Sequence, residues 1–185
     1  MIGDAVASAT PADENGHGSN VKVVDPVLRK LRNETGALVA YYKPYAERYL
    51  GMLKDVLEGP TEETPGWHAG ELETSQCLCH DPKLVRMDRA VMDQAHAPKY
   101  LTKNWKKKDG MPDLDFQGYQ YFNMPFEHDE FTDTGVMGNP FRGAAYKGEI
   151  AFTRFANHLI DAVHEFEQVK VTIKNRDWSD GKMMG

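Results

Sequence analysis

The sequence predicts an α/β fold. Apolar residues recur at helical spacing in several separate segments, and a strand-length apolar run lies between two of them. The chain has 185 residues, enough for a single domain with a working core, here taken as residues 1–185. Composition fits that class: 41% of residues are hydrophobic, 10% are aromatic, and mean hydropathy is −0.60. These values describe a polar globular protein rather than a disordered one.

The elements follow in chain order. Met1 to Thr10 places Ile2, Ala5, Val6 and Ala9 at helical spacing, and Pro11 stops that helix. Residues 11–20 (PADENGHGSN) are turn chemistry. Val21 to Asn33 reads as a helix with Val24, Leu28 and Leu31 on one face. Pro26 either kinks it or marks its first turn after Asp25, and Gly36 suits its C-terminal cap. Ala37 to Tyr42 (ALVAYY) has strand length. Pro44 to Leu57 is helical again, followed by a loop from Gly59 to Gly66. His68 to Cys79 reads as a helix closed near Asp81-Pro82. Met87 to Met124 lacks periodicity and reads as a long irregular covering. Gly135 to Gly143 is a glycine and proline turn region. Ala144 to Glu167 is the longest helical pattern, lined by Ile150, Phe155, Leu159, Val163 and Phe166. Val169 to Ile173 alternates like a short edge strand. One core strand and one edge strand fall short of the number a sheet normally has.

Charge and composition exclude several function classes. There are 28 acidic against 22 basic residues, a net charge of −6. Nucleic acid is therefore not expected as a partner, because phosphate neutralisation needs excess Lys and Arg. No apolar run approaches the roughly 20 residues of a membrane span. The first ten residues lack the pattern of a secretion signal, and two cysteines cannot build a disulfide framework. The expected compartment is the cytoplasm.

Six groups of residues bear on chemistry. In Asn15-Gly16-His17-Gly18-Ser19-Asn20, flanking glycines leave the imidazole of His17 uncovered, as a zinc, iron or manganese ligand requires. The same residues also make an ordinary surface turn. Trp67 to Ser75 (WHAGELETS) sets a histidine and two carboxylates at a helix start. Glu71 and Glu73 are two apart, so only one faces a given site. An acidic first turn complementing the helix dipole is the plainer alternative. Glu127-His128-Asp129-Glu130 has metal-ligand composition, but adjacent side chains cannot all converge on one ion, so an exposed acidic loop is expected. Cys77 and Cys79 point apart on a helix and read as small buried apolar side chains. Lys103, Lys106, Lys107 and Lys108, around Trp105, read as a solvated loop, with an anionic substrate or a subunit contact as the alternative. His158 and His164 lie beside the core stripe of the last helix and are expected to be structural or solvent-facing.

Asn15 to Asn20 and His68 to Ser75, in this order, resemble two motifs of the creatininase family of metal-dependent amidohydrolases. Pro82 to Val85, the turn Gly135 to Pro140 and the helix start Ala144 to Gly148 resemble further segments of that family. The likeness runs from Asn15 to about Gln168. It implies a three-layer α/β/α fold and hydrolysis at one or two divalent metal ions. It implies that His17 and Glu73 are metal ligands, that His68 and Glu73 are catalytic, and that Trp67 and Ser19 contact substrate. A divalent ion would lower the pKa of bound water and polarise a carbonyl. A nearby His or Glu would carry the proton to the leaving group. Homo-oligomers and a small-molecule substrate are expected on the same ground.

Two departures narrow the likeness. Ser19 stands where creatinine amidohydrolases carry a second metal-binding glutamate. This weakens creatinine as substrate and favours another branch. The long irregular segment and the Phe131 to Pro140 region resemble the branch that acts on 3-dehydro-scyllo-inosose, a cyclic diketone of inositol catabolism, with cyclic amides and formamides as the alternative class. The family's other ligands, a Glu-x-His pair and an Asp, precede the glycine-rich motif, and no such segment occurs here. The chain is therefore expected to correspond to the C-terminal part of the fold. A catalytically incomplete fragment or a non-catalytic interaction subunit is the alternative to an enzyme.

Overall fold

The computed structural model describes residues 20–42, 51–60, 68–111 and 113–169. The expectations for residues 1–19, 43–50, 61–67 and 170–185 lie outside the described residues. Helices and a small sheet both occur, in keeping with a mixed α and β chain. The chain divides at residues 46/47 and 156/157 into two compact units.

The unit built from the two ends of the chain contains α1 (Asn20–Thr35), which runs through Pro26. Pro26 therefore lies within the helix and does not start it. Gly36 takes a left-handed φ of 69° and donates its N–H to Arg32 O at 2.9 Å, the cap that a residue without Cβ adopts most easily. Val24 and Leu28 are half-buried, and Leu31 is exposed. The strand expected over Ala37 to Tyr42 does not form. A strand exists only through the ladder it shares with a neighbour, and no described strand pairs with this run.

The unit spanning residues 47–156 carries the sheet and α2. Gly51–Leu53 forms a single 3₁₀ turn that buries Leu53, where a longer helix was expected. Helix α2 (Glu71–His80) matches the expected segment, shortened at its start by the turn at residues 68–70. The stretch expected to be irregular instead contains a three-stranded antiparallel meander of β1 (Trp105–Lys106), β2 (Asp113–Phe116) and β3 (Tyr119–Asn123). Strands β2 and β3 are joined by Gln117 and Gly118, both with positive φ (54° and 93°). That is the two-residue turn whose twist matches antiparallel strands. Asp115 accepts the Gly118 N–H at 2.7 Å and fixes the turn. The Trp105 ring packs on Phe116 (4.6 Å) and Phe122 (5.1 Å) between the strands.

Two further expectations are corrected in this unit. Lys107 is buried rather than solvated: its ammonium donates to Met111 O and lies 4.6 Å from the centroid of the Phe131 ring. Lys103, Lys106 and Lys108 are exposed. Cys77 is exposed and Cys79 half-buried, so neither is a core side chain. The inner side of α2 is taken instead by Glu71, Leu72, Thr74, Ser75 and Gln76.

Helix α4 (Ala145–Gln168) follows a 3₁₀ turn at Pro140–Arg142. Its buried residues are Lys147, Gly148, Ala151 and Phe155. The expected stripe is thus shifted toward the helix start, and Phe166 is exposed. Gly148 lets α4 approach α2 backbone to backbone: a Cβ there would overlap the Ser75 carbonyl. Arg154 closes the unit from the same helix, donating to Met52 O (2.6 Å) and to Asp55 (2.7 Å).

Two outcomes follow from this packing. Gly148→Ala is expected to cost roughly 1–3 kcal/mol in urea melts, because the Ser75 carbonyl is backbone and cannot rotate away. Hydrogen bonding from Arg154 lowers the Asp55 pKa from 3.8 to about 2. A depressed carboxyl contributes stability that is present above pH 4 and lost as the pH falls toward 2. Asp55→Asn is expected to remove that contribution in the neutral range and so to flatten that part of the acid limb, in melts followed from pH 6 to pH 2.

Candidate active site

The site is built around the turn that precedes α2. Ala69 has a φ of 51°, an uncommon conformation for a residue with a Cβ. Two hydrogen bonds hold it there. The Ala69 N–H donates to Glu73 Oε2 at 2.8 Å, and Ala69 O accepts from Thr74 Oγ1 at 3.1 Å. Gly70 is the N-cap of α2. The backbone of His68 is held from a third direction, since its carbonyl accepts the Met137 N–H at 2.7 Å.

Met137 sits in a loop with its own supports. Asp93 pairs with Gly138 through two backbone bonds of 2.8 and 3.3 Å, and its carboxylate accepts from Thr134 Oγ1 at 2.7 Å and Thr132 Oγ1 at 3.3 Å. Burial raises the Asp93 pKa, but hydrogen bonds from Thr134, Gln94 and Thr132 outweigh it and the net shift is downward. Gly143 lies where a Cβ would come within 2.6 Å of Thr74 Cγ2. The sequence segments His68–Ser75, Gly135–Pro140 and Ala144–Gly148 therefore meet around α2.

The His68 ring is half-buried and meets the His128 ring edge to face, with centroids 5.2 Å apart. His128 opens α3 (His128–Phe131), the segment expected to be an exposed acidic loop. Glu127 and Glu130 form a reciprocal capping box on it. Tyr100 OH donates to Glu130 at 2.9 Å, and Phe131 O accepts the His96 N–H at 2.9 Å. Phe131 is buried under Lys107. Sequence reasoning missed His128 as a companion of His68. The available signal was Glu127-x-x-Glu130, a capping pair that marks a helix start and sets the histidine at its first position.

An open groove of about 340 Å³ runs along α2, lined by Ala69, Glu73, Thr74 and Cys77 and by Arg86 and Arg89. Glu73 thus belongs to a cavity wall, while Glu71, two residues earlier, is buried inside. His17, Ser19 and Trp67 lie outside the described residues. His158 and His164 are exposed.

The sequence model of the creatininase family, described as creatinine amidohydrolase, matches residues 14–163. The chain belongs to the creatininase family. No curated protein and no solved structure gives a significant match. The family comprises amidohydrolase-type hydrolases that generally depend on a divalent metal ion. Among the described residues of this creatininase-family chain, no three His, Cys, Asp or Glu side chains are grouped to hold such an ion. His68, His128 and Glu73 are not gathered at one point, so they do not make the three-ligand shell that such an ion normally takes. Among the described residues no helix is long and apolar enough to cross a membrane.

Strain at Ala69 is testable. A left-handed residue with a Cβ costs roughly 1–2 kcal/mol, so Ala69→Gly is expected to be neutral or stabilising by up to about 1 kcal/mol. Chemical denaturation decides it: a clear loss of stability would mean the turn carries no strain.

Proposed function

We propose that the protein is a hydrolase acting on a small cyclic substrate with a carbonyl at its reacting centre, and that His68 is its proton carrier. The observation that carries this reading is the way two family segments, His68–Ser75 and Gly135–Pro140, hold the backbone at His68. Strain at Ala69, the Met137 N–H and the Glu73 carboxylate all act on the backbone around this one imidazole.

Amide hydrolysis adds water to a carbonyl carbon, breaks the C–N bond and leaves the nitrogen one proton short. A histidine titrates near neutral pH and can deliver that proton. His128 sets a second imidazole on the face of the first. Arg86 and Arg89 across the groove suit a substrate or product that carries a carboxylate or a polarised oxygen. Trp67 is proposed as a wall for a flat ring, Ser19 as a substrate contact, and His17 with Glu73 as metal ligands, zinc, manganese or iron being the candidate ions.

Cyclic amides and formamides are the first substrate class, following the family's description. The cyclic diketone 3-dehydro-scyllo-inosose is the narrower candidate, on the likeness of the Phe131–Pro140 region to that branch, with Ser19 weighing against creatinine. A three-layer fold, a homo-oligomeric state and a cytoplasmic location complete the proposal.

The test is a hydrolysis panel of cyclic amides, formamides and the cyclic diketone, run beside elemental metal analysis of the purified chain. His68→Gln is expected to lower kcat about 10²- to 10⁴-fold with an unchanged melt. Turnover that survives this substitution overturns the role of His68. A chain with neither bound metal nor turnover is a non-catalytic interaction subunit.

A further inference from the structure

Glu71 and Lys147 are both almost fully buried, at 1% and 2% exposure, and their charged atoms are 2.5 Å apart. Neither is part of the proton-carrying face or of the groove. The Glu71 carboxylate also accepts two backbone N–H groups: Glu58 at 2.9 and 3.1 Å, and Gly59 at 2.7 Å. Lys147 donates in addition to Glu58 (2.9 Å) and to Arg142 O (2.9 Å). Burial works against the charge on Lys147, but the bonds to Glu71 and Glu58 outweigh it and its pKa is raised.

We infer that Glu71, held by Lys147, is a positioning residue: it ties the chain at Glu58–Gly59 to the start of α2 and so fixes the backbone that carries His68. A pair serving stability alone has no need of the two N–H groups, and an apolar pair cannot accept them. Their presence makes Glu71 a junction of three segments, at Glu58–Gly59, α2 and α4. His68 lies three residues before this junction, and its carbonyl is the acceptor for Met137. Loosening the junction frees the start of α2 and with it the His68 carbonyl to which Met137 donates. The inference rests on the reading of His68 as the proton carrier, but one of its readouts does not.

The experiment uses the full chain. Single removal of Lys147 strands a buried carboxylate and is expected to unfold the protein, so the decisive variant is the double change Glu71→Met with Lys147→Met. Replacing both members of a buried ion pair by apolar side chains often preserves stability, here less the acceptor that the Glu58 and Gly59 N–H groups lose. Glu71→Gln, which keeps shape and one acceptor, is measured beside it, and Lys147→Arg serves as the conservative control.

In the folded variants, hydrogen exchange at the Glu58, Gly59 and Met137 amides is expected to accelerate at least about tenfold, since each loses or loosens its acceptor. On any substrate the wild type turns over, kcat is expected to fall at least about tenfold with KM little changed, because misplacement of a proton carrier weakens the transition state first. Lys147→Arg is expected to retain most of the rate. Wild-type Met137 exchange in a folded Glu71 variant overturns the inference, and so does wild-type kcat. If the wild type hydrolyses nothing on the panel, the hydrolase reading fails, and the exchange rates alone decide the positioning role.

Discussion

The backbone contact between α2 and the start of α4 is the constraint on which the central unit depends. Gly148 faces the Ser75 carbonyl with no room for a methyl group. At that distance the neighbouring position, Lys147, is driven inside, where a lysine is stable only with a partner. Glu71 supplies it from the first turn of α2. Ser75 closes the contact on the same line, donating to Glu71 O at 2.6 Å and accepting the Ala144 N–H at 3.0 Å. Removing one member of a buried pair costs on the order of 3–5 kcal/mol, whereas exchanging both for apolar residues is often neutral. The net contribution of such a pair to stability is therefore small. What it adds is a fixed geometry, since a carboxylate with three donors has few orientations to choose from.

That geometry reaches the histidine through short links. From Glu71 the chain runs back through Gly70 to Ala69, whose left-handed backbone is sustained by Glu73 and Thr74 of the same helix. The two glutamates divide the work. Glu71 faces inward and joins segments, and Glu73 faces the groove and holds the turn. Strained residues persist where their surroundings over-determine them, and a turn fixed from three sides is such a place.

Much of this was legible in the sequence because it is local. The helix at Glu71–His80, the long helix from Ala145 and the cap at Gly36 follow from spacing and from single residues with special backbone freedom. The two-residue offset between Glu71 and Glu73 already implied that they face apart. What escaped depends on contacts between distant segments. The meander was hidden because Asp113–Asn123 alternates only weakly, and its clearest mark, Gly118 after Gln117, is a lone glycine. Lys107 read as solvated because composition does not reveal that Phe131 and Met111 O await it. Ala37 to Tyr42 has the apolar content of a strand, but content cannot supply a partner. His128 was set aside because neighbours in a row cannot share an ion, an argument that holds for the row and says nothing about one of its members meeting a histidine sixty residues earlier.

The pairing of His68 with His128 bears on how the chemistry is divided. Two imidazoles with centroids at 5.2 Å in a T-shaped arrangement are in direct ring contact. They are not a metal shell, and the described part of the chain groups no third donor with them. A hydrolase must both polarise a carbonyl and deliver a proton, and these tasks favour different surroundings. An ion wants several fixed, deprotonated donors. A proton carrier wants a ring free to change charge state on a rigid backbone. Around His68 the main chain is held by the Met137 N–H and, through Ala69, by Glu73, and the half-buried ring lies against another imidazole. On the proposed reading of His68 as the proton carrier, polarisation of the carbonyl falls to groups other than this pair, and the buried junction at Glu71 acts only through where it places the His68 backbone.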